Sequence, residues 1–240
     1  MLGAFSVLVL MIFRAFWMHW VLACCFFALI SACSTTGSQI LAAVASGKYS
    51  SGFDQTQNAR LDPRFQYLRV EVKDVPPALF VLGEIDQADG SPVEVWYSNQ
   101  GEVLRLQQGR IVGTAGLPED WARVWFDKPL PAWHQVSPDG LSLTRWHDQR
   151  QAYVGGRQTH LMLRRIGSPT SLPLRLSSGA LVGVQWFEET SAQASAGSVP
   201  PSVYAVGQYK GRERVIYSTQ CLALQLCLDM QLWPPRAMSP

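Results

Sequence analysis

Beyond its apolar N-terminal run, this 240-residue chain has few residues suited to acid–base or metal chemistry, chief among them His134, His147 and His160. None has a partner at a metal-ligand spacing such as H-x-x-x-H, so no metal site is expected. His147 and Asp148 are adjacent, so on a strand they point to opposite faces and do not form a dyad. Glu119–Asp120 and Glu188–Glu189 are neighbouring carboxylates. A glycosidase pair must face one another across a sugar, roughly 5–10 Å apart; these neighbours read instead as solvated loop charges. There is no G-x-S-x-G elbow, P-loop or dinucleotide fingerprint, so no catalytic residue and no cofactor is expected.

The tryptophans are more informative. Exposed indoles stack on sugar rings, while buried ones fill a core. Trp96 and Trp186 sit in strand-like apolar patterns and read as packing. Trp121, Trp125 and Trp133 fall in a less regular stretch beside Arg123 and Lys128, which makes them the candidate glycan contacts. Core filling is the alternative for them too.

One cysteine carries a recognisable chemistry. Arg14 precedes a nearly continuous apolar run from Ala15 to Ala32, and the run ends Leu29-Ile30-Ser31-Ala32-Cys33. A cation, an apolar stretch and then small residues is the layout of a secretory signal. Cleavage before Cys33, with Ile30, Ser31 and Ala32 as its flank, frees a thiol for lipid attachment. Ile30 stands where a lipoprotein signal usually has Leu. Cys24 and Cys25 are poorer candidates, because more apolar residues follow them. The polar Ser34-Thr35-Thr36-Gly37-Ser38 is what should follow an anchor. The start is Met1, Met11 or Met18, and each still gives a signal peptide. The alternative is an uncleaved helix, since roughly 20 apolar residues span a bilayer. Ser34 rather than Asp after the cysteine resembles the outer-membrane destination of Gram-negative lipoproteins. The expectation is a chain held on the outer membrane through acylated Cys33 and facing the periplasm.

These observations divide the chain into a signal at 1–32, an acylated N-terminus and tether at 33–60, and a folded part at 61–240. About 208 residues follow the signal, enough for one large or two small domains. The net charge is +2. Removing Arg14 leaves the rest nearly neutral, which gives no electrostatic case for nucleic acid. Cys221 and Cys227 then lie in an oxidising compartment. On one continuous strand six residues would hold them about 20 Å apart, too far for a disulfide. Either the chain turns between them or the thiols stay apart.

From Phe65 the hydrophobic period is two: Leu68, Val70 and Val72 alternate with Arg69, Glu71 and Lys73. Pro76-Pro77 reads as a stop. Ala78–Leu82 is apolar throughout and reads as a buried strand, with a short buried helix as the alternative. Val93–Tyr97, Val103–Leu106 and Arg110–Thr114, separated by Gly-containing turns, form an antiparallel meander. Leu117–Trp125 has room for a short helix, broken by Lys128-Pro129-Leu130-Pro131. Further strands are expected at Leu141–Trp146, Thr159–Ile166 and Ala180–Phe187. Glu188–Ser202 reads as a low-complexity loop. A hairpin follows at Tyr204–Tyr209 and Val215–Ser218, then a last strand at Leu222–Leu232. Many short strands at close spacing imply an all-β fold, a mainly antiparallel sandwich or open barrel with minor short helices, preceded by the N-terminal signal helix.

The segment Gly109-Arg110-Ile111-Val112-Gly113-Thr114-Ala115-Gly116-Leu117, preceded by Glu94-Val95-Trp96-Tyr97-Ser98, resembles the YjbF/GfcB family. These are lipoproteins of group 4 capsule and exopolysaccharide operons. The resemblance covers most of residues 55–235 and is sharpest from Val93 to Leu117. It implies a mainly antiparallel β protein. It also implies a non-enzymatic accessory role in secreting or assembling surface polysaccharide, with export proteins and the polysaccharide itself as partners. It carries no catalytic residue. Arg110 follows a turn glycine and is placed to pair with a carboxylate, while Gly113 and Gly116 let the backbone bend or approach a neighbour closely. The rivals are a polysaccharide-modifying enzyme and a general envelope scaffold without a glycan role. Convergence of His134, His147 or His160 with a carboxylate in one cleft would favour the enzyme.

Overall fold

The computed structural model describes Thr56 and residues 59–88, 90–170, 183–192, 198–209 and 211–234. The signal segment, Cys33 with its flank, and most of the tether lie outside the described residues. All the described residues belong to one unit, Gln39–Pro240.

Twelve strands form one antiparallel sheet: β1 (Tyr67–Val72), β2 (Val75–Ala88), β3 (Ser91–Ser98), β4 (Val103–Gln107), β5 (Arg110–Ala115), β6 (Trp121–Phe126), β7 (Leu141–Gln149), β8 (Val154–Ile166), β9 (Gln185–Ser191), β10 (Ser202–Tyr209), β11 (Arg212–Ala223) and β12 (Leu226–Trp233). Their order is β5-β4-β3-β2-β1-β12-β11-β10-β9-β8-β7-β6. Two runs of sequential hairpins are thus joined where the first strand pairs with the last. The sheet curls into a nearly closed barrel, the form that deals with unpaired edges. Its two edges, β5 and β6, are neighbours in sequence.

The inward row follows from register. Leu68 lies opposite Phe80 on β2 and Leu232 on β12, and Val70 lies opposite Ala78 and Met230. These side chains, with Trp96 and Leu104, form the larger of two hydrophobic clusters. The smaller cluster joins Leu143, Leu161, Leu163, Phe187 and Tyr204 to Trp133 and Val136. Trp133 begins a single 3₁₀ turn, Trp133–Gln135, in the β6–β7 connection.

The seam between β5 and β6 is sewn by side chains. Asp120 Oδ1 accepts the Thr114 hydroxyl at 2.9 Å and the Leu117 N–H at 3.1 Å, and Oδ2 accepts the Gly116 N–H at 3.0 Å. Trp121 N–H donates to Thr114 Oγ1 at 3.0 Å. Thr114 and Asp120 are both about 5% exposed, so these bonds are made away from bulk water.

Several expectations need correction. Pro76 and Pro77 lie inside β2, not after a strand. The β2–β3 ladder runs only from Phe80 to Ala88, so at the two prolines β2 is paired with β1 alone. A missing N–H costs little there. The helix expected within Leu117–Trp125 is instead β6. A register shift between Trp121 and Arg123 changes the strand's parity and buries Trp121 and Val124, three residues apart. That spacing imitates one face of a helix. Glu188–Ser191 continues β9 instead of opening a loop. Residues 193–197 of the expected loop lie outside the described residues. The last strand is two strands, with a turn at Leu224-Gln225.

That turn settles the open question of the cysteines. Cys221 and Cys227 face each other across β11 and β12 and are joined by a disulfide. The closed loop is short, so the entropic stabilisation is modest, about 2 kcal/mol. A Cys221→Ala/Cys227→Ala chain is expected to fold and to lose about that much in urea unfolding. A loss above about 5 kcal/mol would mean the bond holds more than its own hairpin.

Candidate functional site

The described structure offers three places where chemistry-bearing residues meet: a buried ionic network, a cavity, and an aromatic row on the outer face.

The network starts at Arg110, which is 2% exposed. Its Nε donates to Glu189 Oε2 at 3.1 Å, and Arg145 Nη1 approaches Glu189 Oε1 at 3.7 Å. The Arg110 guanidinium lies 4.0 Å from the centre of the Trp133 ring and 5.4 Å from that of Tyr204. Arg145 lies 4.7 Å from the Trp121 ring, on which His147 also stacks at 4.6 Å. The carboxylate expected as the partner of Arg110 is therefore Glu189, one of the four that had read as solvated loop charges; Asp120, in the seam, is a second of them that is buried. Its neighbour Glu188 pairs with Arg164 at 2.8 Å.

Gln220 on β11 ties the tip of the β4–β5 hairpin into this network. Its Oε1 accepts the Ile111 N–H at 3.0 Å and the Tyr204 hydroxyl at 3.3 Å. Its Nε2 donates to Gly109 O at 2.7 Å. A Cβ on Gly109 would stand 2.4 Å from Val215 Cβ, and its φ of +78° also demands glycine. Arg110 meets Glu189, Thr114 sews the seam, and Gly116 turns with φ +85°. The residues behind the family resemblance thus have structural work: they close the barrel and anchor its inner hairpin.

Electrostatics agree with that role. Burial, then the charge of Glu189, pushes the Tyr204 phenol upward, so it stays protonated. Burial, then Arg145 and Arg157, lowers His147 to about 4, so the imidazole is neutral at pH 7. The three histidines go to three different settings. His147 is buried against Trp121, and His160 lies on the outer face, 3.4 Å from Thr144 Oγ1. His134 Nδ1 is 3.4 Å from Glu213 Oε2, but its side chain is 65% exposed. Among the described residues this is the one histidine–carboxylate approach that the enzyme reading asked for, and it is a solvated surface pair. Among the described residues, no three His, Cys, Asp or Glu side chains are placed to hold a metal ion.

The cavity, about 600 Å³, lies within the barrel between β1–β4 and β10–β12. Its lining joins the apolar Leu68, Trp96, Leu106 and Met230 to the polar Gln66, Glu94, Arg212 and Arg214. Arg214 reaches across to Glu94 Oε1 at 2.5 Å and to Gln66 Oε1 at 2.9 Å.

The aromatic row corrects the expected tryptophan platform. Trp121 and Trp133 are 5% and 4% exposed and belong to the core. Trp125 is half-buried on the outer face, directly across from Trp146, with ring centres 6.4 Å apart and planes within 9° of parallel. The Arg123 guanidinium lies 5.2 Å from the Trp125 ring centre. Gln158 sits opposite Trp146, and its Nε2 is 3.4 Å from His160 Nε2. Two parallel indole faces beside a guanidinium, an amide and an imidazole suit a pyranose, which offers C–H faces to aromatics and hydroxyls to polar groups. Sequence reasoning found Trp125 but not Trp146. Both carry the signal of an aromatic within a strand, but only the β6–β7 register places them side by side.

Residues 59–173 match the family model for group 4 capsule polysaccharide lipoproteins, GfcB and YjbF. A crystal structure of the hypothetical lipoprotein YmcC from Escherichia coli K12 shares the fold, with a TM-score of 0.52 at 18% identity over 75% of this chain and 92% of that one. No curated protein is significantly similar to the chain. The match spans the Val93–Leu117 segment and four of the seam and network residues, Arg110, Thr114, Asp120 and Arg145. Residues 59–173, just under half of the chain, are thus similar to the group 4 capsule polysaccharide lipoproteins of the YjbF/GfcB family, the resemblance carried by Val93–Leu117.

Proposed function

We propose that the protein is a non-enzymatic accessory of capsule or exopolysaccharide secretion or assembly, anchored in the outer membrane through acylated Cys33 and facing the periplasm. The observation that carries this reading is the family match over residues 59–173. The Leu29–Cys33 signal supports the anchor. The non-enzymatic part is supported by the use of Arg110, Glu189, Arg145 and His147 as internal structure. In this reading export proteins are the protein partners, and Trp125 and Trp146 touch the polysaccharide.

The test is surface and released polysaccharide in a deletion strain, complemented in parallel with wild type, Cys33→Ser and Trp125→Ala/Trp146→Ala. Wild type is expected to restore the polysaccharide and Cys33→Ser to fail. The double tryptophan variant should fold, because neither ring belongs to either hydrophobic cluster, and should bind the purified polysaccharide roughly tenfold more weakly. A deletion that leaves polysaccharide amount and length unchanged, in cells expressing the gene, would sink the proposal. Full restoration by Cys33→Ser would make the anchor incidental.

A further inference from the structure

We infer that the barrel cavity binds a single-chain amphiphile: one acyl chain inserted among the inner strands, with an anionic head held at the rim. Three observations carry this, and none depends on the role in polysaccharide export.

The first is size. At about 600 Å³, the cavity falls within the range of small-molecule sites, and its walls come from seven strands of the barrel.

The second is the aliphatic part of its lining. The walls carry Leu68, Leu106, Ile216, Met230 and Leu232, all 7% exposed or less, together with Leu82 opposite Trp96. The hydroxyls among the lining residues belong to Tyr209, Tyr217 and Ser218; Ser218 accepts from Gln220 Nε2 at 3.0 Å and Tyr217 donates to Asp229 Oδ1 at 2.7 Å. The aliphatic part of the wall offers a sugar nothing to pair its hydroxyls, and each unpaired one would be costly. A methylene chain needs no such partners and gains by leaving water.

The third is the placement of the charges. Gln66 precedes β1, Glu94 lies near the start of β3, and Arg212, Glu213 and Arg214 open β11. These positions are at one end of the barrel. Arg214 is engaged by Glu94 and Gln66 across the opening, which fixes a crossbar over an apolar shaft. Arg212 stands exposed beside it. A carboxylate or phosphate at the head of a chain would meet that guanidinium beside the apolar walls.

The experiment uses the full-length lipoprotein in nanodiscs. It is irradiated with a C16 fatty acid carrying a diazirine near its methyl end, then digested and mapped. Adducts are expected on the peptides carrying Leu106 and Met230, and excess palmitate should remove them. Leu82→Trp, which fills the shaft, should cut this labelling at least tenfold. Arg212→Glu, an exposed change that leaves the core intact, should weaken competition by palmitate severalfold and leave competition by hexadecanol unchanged. Labelling confined to outer-face peptides such as that of Trp125 would overturn the inference. So would labelling of the inner peptides that neither variant alters. Equal loss of palmitate and hexadecanol competition in Arg212→Glu would overturn the anionic head.

Discussion

Replacing Glu189 with alanine is expected to destabilise the barrel by about 3–5 kcal/mol at neutral pH, the cost of breaking a buried ion pair from one side. Glu189 is the carboxylate that faces both Arg110 and Arg145. Arg110 has nowhere else to turn: its side chain is 2% exposed, and its Nη1 and Nη2 find no hydrogen-bond partner among the described residues. The Trp133 and Tyr204 rings against it soften the charge but do not neutralise it. Because the penalty belongs to the orphaned cation, Arg110→Met combined with Glu189→Leu should recover most of the loss. Arg145, at 17% exposed, then reaches toward water. The measurement is urea unfolding followed by tryptophan fluorescence. A Glu189→Ala loss under about 1 kcal/mol would show that Arg110 is hydrated in the folded state.

The second large effect is one of pH. In the fold, His147 titrates at about 4, against an ordinary histidine value of 6.5. Between those values the unfolded chain binds a proton at this ring and the folded chain does not. Stability therefore rises with pH across the window. The contribution is complete above about pH 6.5 and is lost as the pH falls to about 4. Its size is about 3 kcal/mol, from the cited shift. Paired carboxylates also lose stability in acid, so the informative quantity is a difference. His147→Phe keeps a ring on Trp121 and should flatten the slope of urea midpoint against pH between 4 and 6.5. Parallel slopes in the two proteins would show that His147 charges freely in the fold.

Local chemistry was legible in the sequence, and curvature was not. The β3–β4–β5 meander was readable because its turns carry glycine at Gly101 and Gly109, both with positive φ. Arg110 announced a need for a carboxylate, but Glu189 is 79 positions away. Nothing local told a polar Glu-Glu-Thr-Ser run at the end of a strand from the start of a loop. His147 and Asp148 do face opposite ways, with the Asp148 carboxylate accepting the Gly156 N–H on the outside. The tryptophans of the irregular stretch divided by strand parity. Trp121 turned inward at the bulge and Trp125 outward, and no single-residue pattern marks a bulge. Trp133 entered the core because its turn folds back over the smaller cluster. Its indole N–H reaches Gln108 O at 3.3 Å, a contact between segments far apart in sequence.

The pairing of β1 with β12 also sets an order of events. Every other ladder joins strands that follow one another, so each of the two meanders can form from its own hairpins. The register that aligns Tyr67 with Trp233 cannot form until the last strand has appeared. Until β12 is free to pair with β1, the chain would hold two half-built curls, and the barrel would close in that one late, long-range step.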